Sequence, residues 1–296
     1  MKMHYLLWFV LFLGIISCQK APLTQLEENI QAEFAKSPGT FALAFRDLSD
    51  TSRTLLINAK EEFHAASTMK TPVLLEVYKQ AAAGRFQLTD SLVVKNEFKS
   101  IVDGSPYSLD ASDDSEPKLY EQLGQKVSIY DLCYDMIIQS SNLATNIVIE
   151  LVDAKNVTQT MRDLGAMDIQ VRRGVEDTKA FQQGLNNTTT AYDLMLLFEK
   201  MGRKELVSSE ACDAMIDILL DQKFNEVIPV QLPEDVKVAH KTGWITSVRH
   251  DSGIVLLPDG RQYVLVLLSK GWESDELATE IMANVSKMVY DYYIQP

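Results

Sequence analysis

The sequence predicts an α+β fold in which a five-stranded antiparallel sheet, flanked by an N-terminal and a C-terminal helix, carries an inserted all-α lobe. Alternating apolar residues mark strands near both chain ends, whereas apolar residues between 66 and 225 recur mostly at helical spacing. Two β-rich ends around a helical middle indicate that the ends combine into one sheet. The cleft between the sheet and the helical lobe is then the natural place for a site.

The N-terminal elements follow from spacing and turn residues. Residues 22–36 are predicted to form an amphipathic helix that ends at Pro38-Gly39. Alternation over 41–48 and a returning run at 53–58 predict a hairpin.

The C-terminal elements complete the sheet. Strands are predicted at 236–242, 253–257 and 263–269. One apolar face from Leu277 to Tyr292 predicts a long final helix. In the middle of the chain, residues 102–118 are rich in Asp, Ser and Pro and are interpreted as an acidic surface loop.

Composition narrows the class of protein. Of 296 residues, 46% are hydrophobic and 23% are charged, which is ordinary globular composition and excludes a disordered chain. The net charge of −13 argues against nucleic-acid binding. We interpret residues 18–296 as a single catalytic domain, with a sheet lobe at about 21–65 and 226–296 and a helical lobe at about 66–225.

Residues 1–17 have the pattern of a secretory signal, with a lysine at position 2 and an apolar run at 6–16. This run is too short to span a bilayer, which takes about 20 residues. The run ends directly before Cys18 and resembles the lipobox of bacterial lipoproteins, so Cys18 is the expected lipidation site. The alternative is an ordinary cleavage a few residues later, with Cys18 free or removed.

The spacing Ser-x-x-Lys occurs three times, but only Ser67 and Lys70 follow a strand and open a helical pattern. The pair beginning at Ser17 spans the expected cleavage site. The pair beginning at Ser115 contains Pro117, which argues against a helical turn. One turn places Lys70 on the face of Ser67, where an amine of lowered pKa can accept the hydroxyl proton. A Ser at a helix start is also a common N-cap.

Two further motifs follow in order. Ser140-Ser141-Asn142 lies in a helical stretch, and a Lys-Thr-Gly sequence that begins at Lys241 lies on a late strand. Each alone is also explained as an ordinary helix or strand end. With Ser-x-x-Lys they resemble the serine β-lactamase and penicillin-binding protein superfamily over nearly the whole mature chain, and the stretch 187–190 is similar to class A β-lactamases.

The resemblance implies roles for the first two motifs. Ser67 is the acylated nucleophile, and Lys70 is its base or part of the proton relay. Ser140 passes a proton to the departing nitrogen. Asn142 binds the amide side chain of the substrate and helps to position Lys70.

The third motif implies a binding surface for the substrate. Lys241 adds positive charge, and Thr242 binds the substrate carboxylate beside Gly243. The backbone N–H groups of Ser67 and Trp244 form the oxyanion hole. Arg249 adds carboxylate affinity, or else it is a solvated hairpin arginine.

The chain departs from the family pattern at two places. The usual middle motif is Ser-Asp-Asn, and Ser141 leaves it without its structural carboxylate. The deacylating glutamate of class A enzymes is matched by Glu176, but Ala180 stands where an Asn is usual. Glu176 is therefore either the base that activates water or a surface carboxylate, and in the second case Ser67 stays acylated.

The cysteines are expected to be unpaired. Cys133 matches one half of a disulfide found in many class A enzymes, but the partner position is Leu74. Cys133 and Cys212 are therefore predicted to be buried thiols.

The leading functional hypothesis is a class A β-lactamase that hydrolyses the β-lactam amide through a Ser67 acyl-enzyme. The alternatives are a D-Ala-D-Ala peptidase or related serine esterase-type hydrolase, and a sensor that is acylated without turnover. A Ser-His-Asp triad from His64 and His250-Asp251 is conceivable, but no G-x-S-x-G elbow is present.

The expected partners and location follow from the same hypothesis. The substrate is a small β-lactam or a cell-wall peptide. No cofactor and no metal are expected, since His240 and His250 stand without an H-E-x-x-H or paired-cysteine pattern. We expect an exported monomer that is anchored by lipid on Cys18 and faces the periplasm of a bacterium.

Overall fold

The computed structural model describes residues 23–295, in which one antiparallel sheet lies between two layers of helices. The helices are α1 (Leu23–Phe34), α2 (Lys70–Ala82), α3 (Ile129–Ile138), α4 (Asn142–Val152), α5 (Ala154–Asp163), α6 (Thr178–Gln182), α7 (Ala191–Gly202), α8 (Ser209–Leu220) and α9 (Asp275–Tyr293). Short 3₁₀ helices span Ala66–Met69 and Pro117–Gln122.

The main sheet contains five of the strands and has the order β2-β1-β11-β10-β9. The strands are β1 (Thr40–Asp47), β2 (Thr54–Ile57), β3 (Phe63–His64), β4 (Ser91–Val93), β5 (Phe98–Lys99), β6 (Pro106–Tyr107), β7 (Lys126–Ser128), β8 (Thr188–Thr189), β9 (Lys237–Ile245), β10 (Val248–Leu256) and β11 (Gln262–Lys270). Because β1 pairs with β11, both chain ends meet in one sheet, and the predicted fold class is confirmed. The strand β9 ends this order and forms an edge.

Separate apolar cores cover the two faces of the sheet. One core packs α1 and α9 against the sheet, where the ring of Phe45 lies 5.6 Å from that of Tyr263 and 6.3 Å from that of Tyr293. The other core joins the opposite face to the helices of the central region through side chains such as Val266 and Phe198. The sheet is therefore a fixed platform between two helical layers.

The structure corrects two sequence predictions. The strand β10 begins at Val248 rather than at 253, so Arg249 and His250 belong to the strand and not to a hairpin loop. Pro117 begins a 3₁₀ helix, because the first position of a helix needs no N–H donor. The loop around it is also not purely a surface loop, since Asp114 is buried.

Other predictions are confirmed or fall outside the described residues. Cys133 and Cys212 are buried, unpaired thiols, as predicted. The predicted signal segment and Cys18 precede residue 23. Within residues 23–295, the longest apolar helices fall short of what crossing a bilayer requires.

Candidate active site

The Ser67 turn is held in a strained conformation by its neighbours. Ala66 has a positive φ of 44°, which costs a side-chain-bearing residue energy unless contacts fix it. The N–H of Ala66 donates to Nδ1 of His64 at 3.0 Å, and Oγ1 of Thr68 donates to the carbonyl of Ala65 at 2.6 Å. Ser67 is half-buried between the buried residues Ala66 and Thr68.

Lys70 follows at the start of α2, and its side chain is fully buried. Its Nζ donates to the carbonyl of Ser140 at 2.6 Å and to Oδ1 of Asn142 at 3.0 Å, and it lies 3.2 Å from Oγ of Ser140. Burial lowers the pKa of Lys70 to about 7, against the opposing charges of Asp114 and Glu176. A large fraction of this amine is therefore uncharged at neutral pH and able to accept a proton.

The middle motif lies at the junction of α3 and α4 rather than inside a helix. Ser140 has a φ of 59°, and Oγ of Ser141 caps α4 by accepting the N–H of Ala144 at 3.2 Å. This turn directs both the carbonyl and the hydroxyl of Ser140 toward Lys70. The Ser140 hydroxyl is therefore within reach of a proton transfer to or from Lys70.

Lys241 reaches the same hydroxyl from β9. Its Nζ donates to Oγ of Ser140 at 3.0 Å and to the carbonyl of Thr242 at 3.0 Å. Burial, together with the neighbouring Lys70, lowers the pKa of Lys241 well below its usual value. The Ser140 hydroxyl is therefore bonded between two buried amines that disfavour each other's charge.

Gly243 allows β9 to approach the Ser67 turn closely. A Cβ at this position would lie 3.2 Å from the Ser67 nitrogen and 3.2 Å from Cβ of Ala66. Trp244 follows on the strand with a side chain that is 60% exposed. The edge of β9 and the N–H of Ser67 therefore line one side of the cleft together.

Glu176 joins the cluster from the loop before α6. Nδ2 of Asn142 donates to Oε1 of Glu176 at 2.7 Å, so the Asn142 amide connects Lys70 to this carboxylate. Burial raises the pKa of Glu176, and the charge of Asp114 adds to this shift. Glu176 is therefore not the free surface carboxylate of the alternative interpretation.

Two neighbours fix the loop that carries Glu176. The Val175 N–H donates to Oδ1 of Asn146 at 2.6 Å, and Nδ2 of Asn146 donates to the Val175 carbonyl at 3.0 Å. On the other side, the carboxylate of Asp177 accepts the Ile101 N–H at 2.9 Å. These contacts hold the loop even though the chain has no Asn at position 180.

Arg249 lies on the same face of the sheet as Thr242, because Arg249 pairs with Trp244 and alternate residues of a strand share a face. Its guanidinium donates to Oγ1 of Thr279 at 3.0 Å and to Asp275 at 3.1 Å. Arg249 is therefore bonded to α9, and it is not the solvated arginine of the alternative interpretation.

The histidines do not assemble a catalytic triad. Nδ1 of His64 is engaged by the N–H of Ala66, and Nε2 of His250 lies 2.9 Å from the His64 carbonyl. Asp251 bonds to His240 at 2.8 Å instead of to His250. Burial also lowers the pKa of His250 to about 4. The triad hypothesis is therefore wrong for this arrangement.

Asn146 and Asp114 lie near the cluster but were not identified from the sequence. Asn146 lies one turn after Asn142 on α4, so helical spacing offered a signal for it. Asp114 accepts the N–H groups of Asn142 and Leu143 at 3.0 and 2.8 Å, although its loop has no motif. No local pattern pointed to Asp114, because Asn142 and Leu143 lie far along the chain from it.

The sheet with its helical lobe and the serine–lysine cluster define a hydrolase of the β-lactamase and penicillin-binding protein fold. The sequence pattern of the family described as "Beta-lactamase enzyme family" matches residues 25–293. The chain therefore belongs to the beta-lactamase enzyme family.

Individual relatives agree with this assignment. A β-lactamase of Bacteroides uniformis is 25% identical over 311 residues, which cover 98% of this chain and 99% of that protein. The β-lactamase VEB-1 of Pseudomonas aeruginosa is 23% identical over 258 residues and 83% of each chain.

Solved structures give the same result. PBP-A is 27% identical, with a TM-score of 0.77 over 93% of this chain and 97% of its own. A PBP-A variant solved as an acyl-enzyme complex with penicillin G is 29% identical, with a TM-score of 0.78 over 93% of this chain and 98% of its own.

Gly243→Ala tests the close approach of β9 to Ser67. The added methyl group must push the strand away from the Ser67 nitrogen, so we expect penicillin labelling to slow by about tenfold to a hundredfold. The rate of labelling and the melting temperature should be measured together. Lys237→Ala, at an exposed position of the same strand, is the control. Labelling of Gly243→Ala at the unaltered rate would contradict this role.

Proposed function

We propose that the protein is a serine β-lactamase of the class A type, which opens the β-lactam amide through an acyl-enzyme on Ser67. The observation that carries this proposal is the buried amine of Lys70, one helical turn after Ser67 and bonded to Ser140 and Asn142. Such an amine supplies a base at neutral pH without a histidine.

Acylation uses the cluster as follows. Lys70 takes the proton of the Ser67 hydroxyl, and Oγ attacks the β-lactam carbonyl. The N–H groups of Ser67 and Trp244 stabilise the negative oxygen of the tetrahedral intermediate. As the carbon–nitrogen bond breaks, the Ser140 hydroxyl protonates the nitrogen and recovers a proton from its lysine neighbours.

Substrate binding uses hydrogen-bond donors at the β9 edge of an acidic protein. Lys241 and Thr242 receive the substrate carboxylate there, while Arg249, on the face that it shares with Thr242, is paired with Asp275 of α9. Asn142 contacts the amide side chain of the substrate. The net charge of −13 does not prevent this binding, because exposed charges farther away are screened.

Deacylation requires a second base, and we assign this role to Glu176. Its carboxylate takes a proton from water, the water oxygen attacks the acyl carbon, and Ser67 leaves with a proton. The bond from Asn142 to Glu176 supports this role, since it joins the loop to the acylation machinery. The β-lactamase names of the curated relatives support turnover as well.

A second candidate is an acylated protein with slow or no turnover of β-lactams, acting as a sensor or on D-Ala-D-Ala peptides or esters. Two observations favour it. The neighbour PBP-A was solved, as a variant, in an acyl-enzyme complex with penicillin G. Ala180 also stands where the family usually has an Asn near the deacylating base.

A chromogenic cephalosporin distinguishes the two candidates. We expect sustained turnover by the purified protein and none by Ser67→Ala, because the nucleophile is lost. The measurement is the absorbance trace, with bound antibiotic followed by intact-protein mass. A one-equivalent burst followed by silence would contradict β-lactamase activity, and labelling of Ser67→Ala would contradict the nucleophile assignment.

Glu176→Gln isolates the deacylation step. The amide cannot accept a proton from water, so kcat should fall by at least about a hundredfold while the acyl-enzyme accumulates. Rapid mixing followed by mass measurement detects the trapped adduct. Glu234→Gln, an exposed carboxylate elsewhere on the surface, should turn over normally. Equal turnover by Glu176→Gln and Glu234→Gln would remove Glu176 from the mechanism.

A further inference from the structure

Asp114 is a buried carboxylate that reaches the start of α4 from the loop after β6. Its oxygens accept the Asn142 N–H at 3.0 Å and the Leu143 N–H at 2.8 Å. They also accept the Glu116 N–H at 3.1 Å and the Tyr120 hydroxyl at 3.0 Å. Every one of these partners is a hydrogen-bond donor, so the carboxylate ties the start of α4 to its own loop.

We propose that Asp114 is a positioning residue for the acylation reaction, which fixes Asn142 between Lys70 and Glu176 and sets the electrostatic environment of the Lys70 amine. This inference rests on the proposed function. Asp114 touches neither substrate nor Ser67, so it acts through Asn142 and through its charge. The family usually has an aspartate at the position of Ser141, and this chain lacks it. The Asp114 carboxylate bonds to the backbone of the next residue, Asn142.

The geometric part of this role follows from the Asn142 contacts. The backbone of Asn142 is held by Asp114, while its side chain accepts from Lys70 at 3.0 Å and donates to Glu176 at 2.7 Å. A shift of this backbone would lengthen both side-chain bonds at once. A single carboxylate therefore aligns the base of acylation with the base of deacylation.

Asp114 and Ser141 share the capping of α4, since Asp114 accepts the N–H groups of Asn142 and Leu143. The Ser141 hydroxyl already caps this helix by accepting the Ala144 N–H at 3.2 Å. Asp114 adds a negative charge at the positive end of the helix, close to a buried amine. A purely structural residue would support the helix without changing how that amine titrates.

The electrostatic part of this role has a definite sign. The charge of Asp114 raises the pKa of Lys70 against the larger effect of burial, and it also raises the pKa of Glu176. The other titratable groups that act on this cluster are Asp110, Asp113, Tyr120 and Lys241. Removing the Asp114 charge therefore leaves Lys70 and Glu176 deprotonated at lower pH than in the unaltered protein.

The test compares acylation rates across pH in Asp114→Asn and the unaltered protein. We expect the rate to fall by about tenfold to a hundredfold, because Asn142 loses part of its support. We also expect the acidic limb of the profile to move to lower pH. Labelling by a fluorescent penicillin in single turnover measures the rate without involving deacylation.

Two controls separate charge from loop structure. Tyr120→Phe removes a hydrogen bond to Asp114 but leaves the Asp114 charge in place. The acidic limb of the pH profile of this variant should therefore not move. Glu234→Gln removes an exposed charge elsewhere on the surface, so both rate and profile should be unaltered.

The outcomes distinguish this inference from the proposed function. An unaltered protein that is never acylated overturns the proposed function. Acylation of the unaltered protein together with an unmoved acidic limb in Asp114→Asn overturns the inference, even if Asp114→Asn is acylated more slowly. If Asp114→Asn fails to fold, Asp114→Ser carries the same test, because its hydroxyl still accepts one N–H and carries no charge.

Discussion

The site depends on the burial of one amine. The Lys70 side chain is removed from water and held by oxygens of Ser140 and Asn142, and removal from water disfavours its charge. An ordinary surface lysine would be protonated at neutral pH and useless as a base. The helical layers that exclude water from α2 are therefore part of the chemistry as well as of the fold.

Three turns deliver the polar groups to this amine, and each contains a side-chain-bearing residue with positive φ. These residues are Ala66 before Ser67, Ser140 in the middle motif and Glu176 in its loop. Each such conformation costs on the order of 1–3 kcal/mol, which the surrounding packing must offset. His64, Asp114 and Asn146 hold the segments around these turns, while the sheet between two apolar cores supplies the rigid frame.

The sequence predicted those parts that rest on local periodicity. Strand alternation and helical spacing revealed the sheet and its flanking helices, and the motifs located Ser67 and Lys70. Contacts between distant segments left no local signal, so Asp114 was missed within an apparently acidic surface loop. The start of β10 was misplaced because Arg249 and His250 interrupt its apolar pattern. The sequence suggested His250, the residue before Asp251, as a partner of the Asp251 carboxylate. In the structure, Asp251 instead bonds across the sheet to His240.

The central claim is that Lys70 acts as the uncharged base. It is tested most directly by the pH dependence of single-turnover acylation of Ser67 in the otherwise unaltered protein. With a Lys70 pKa of about 7, the rate should rise about tenfold per pH unit below 7 and level off above it. His250, whose pKa lies near 4, cannot produce this limb. A rate that is constant from pH 5 to about pH 9 would contradict the account.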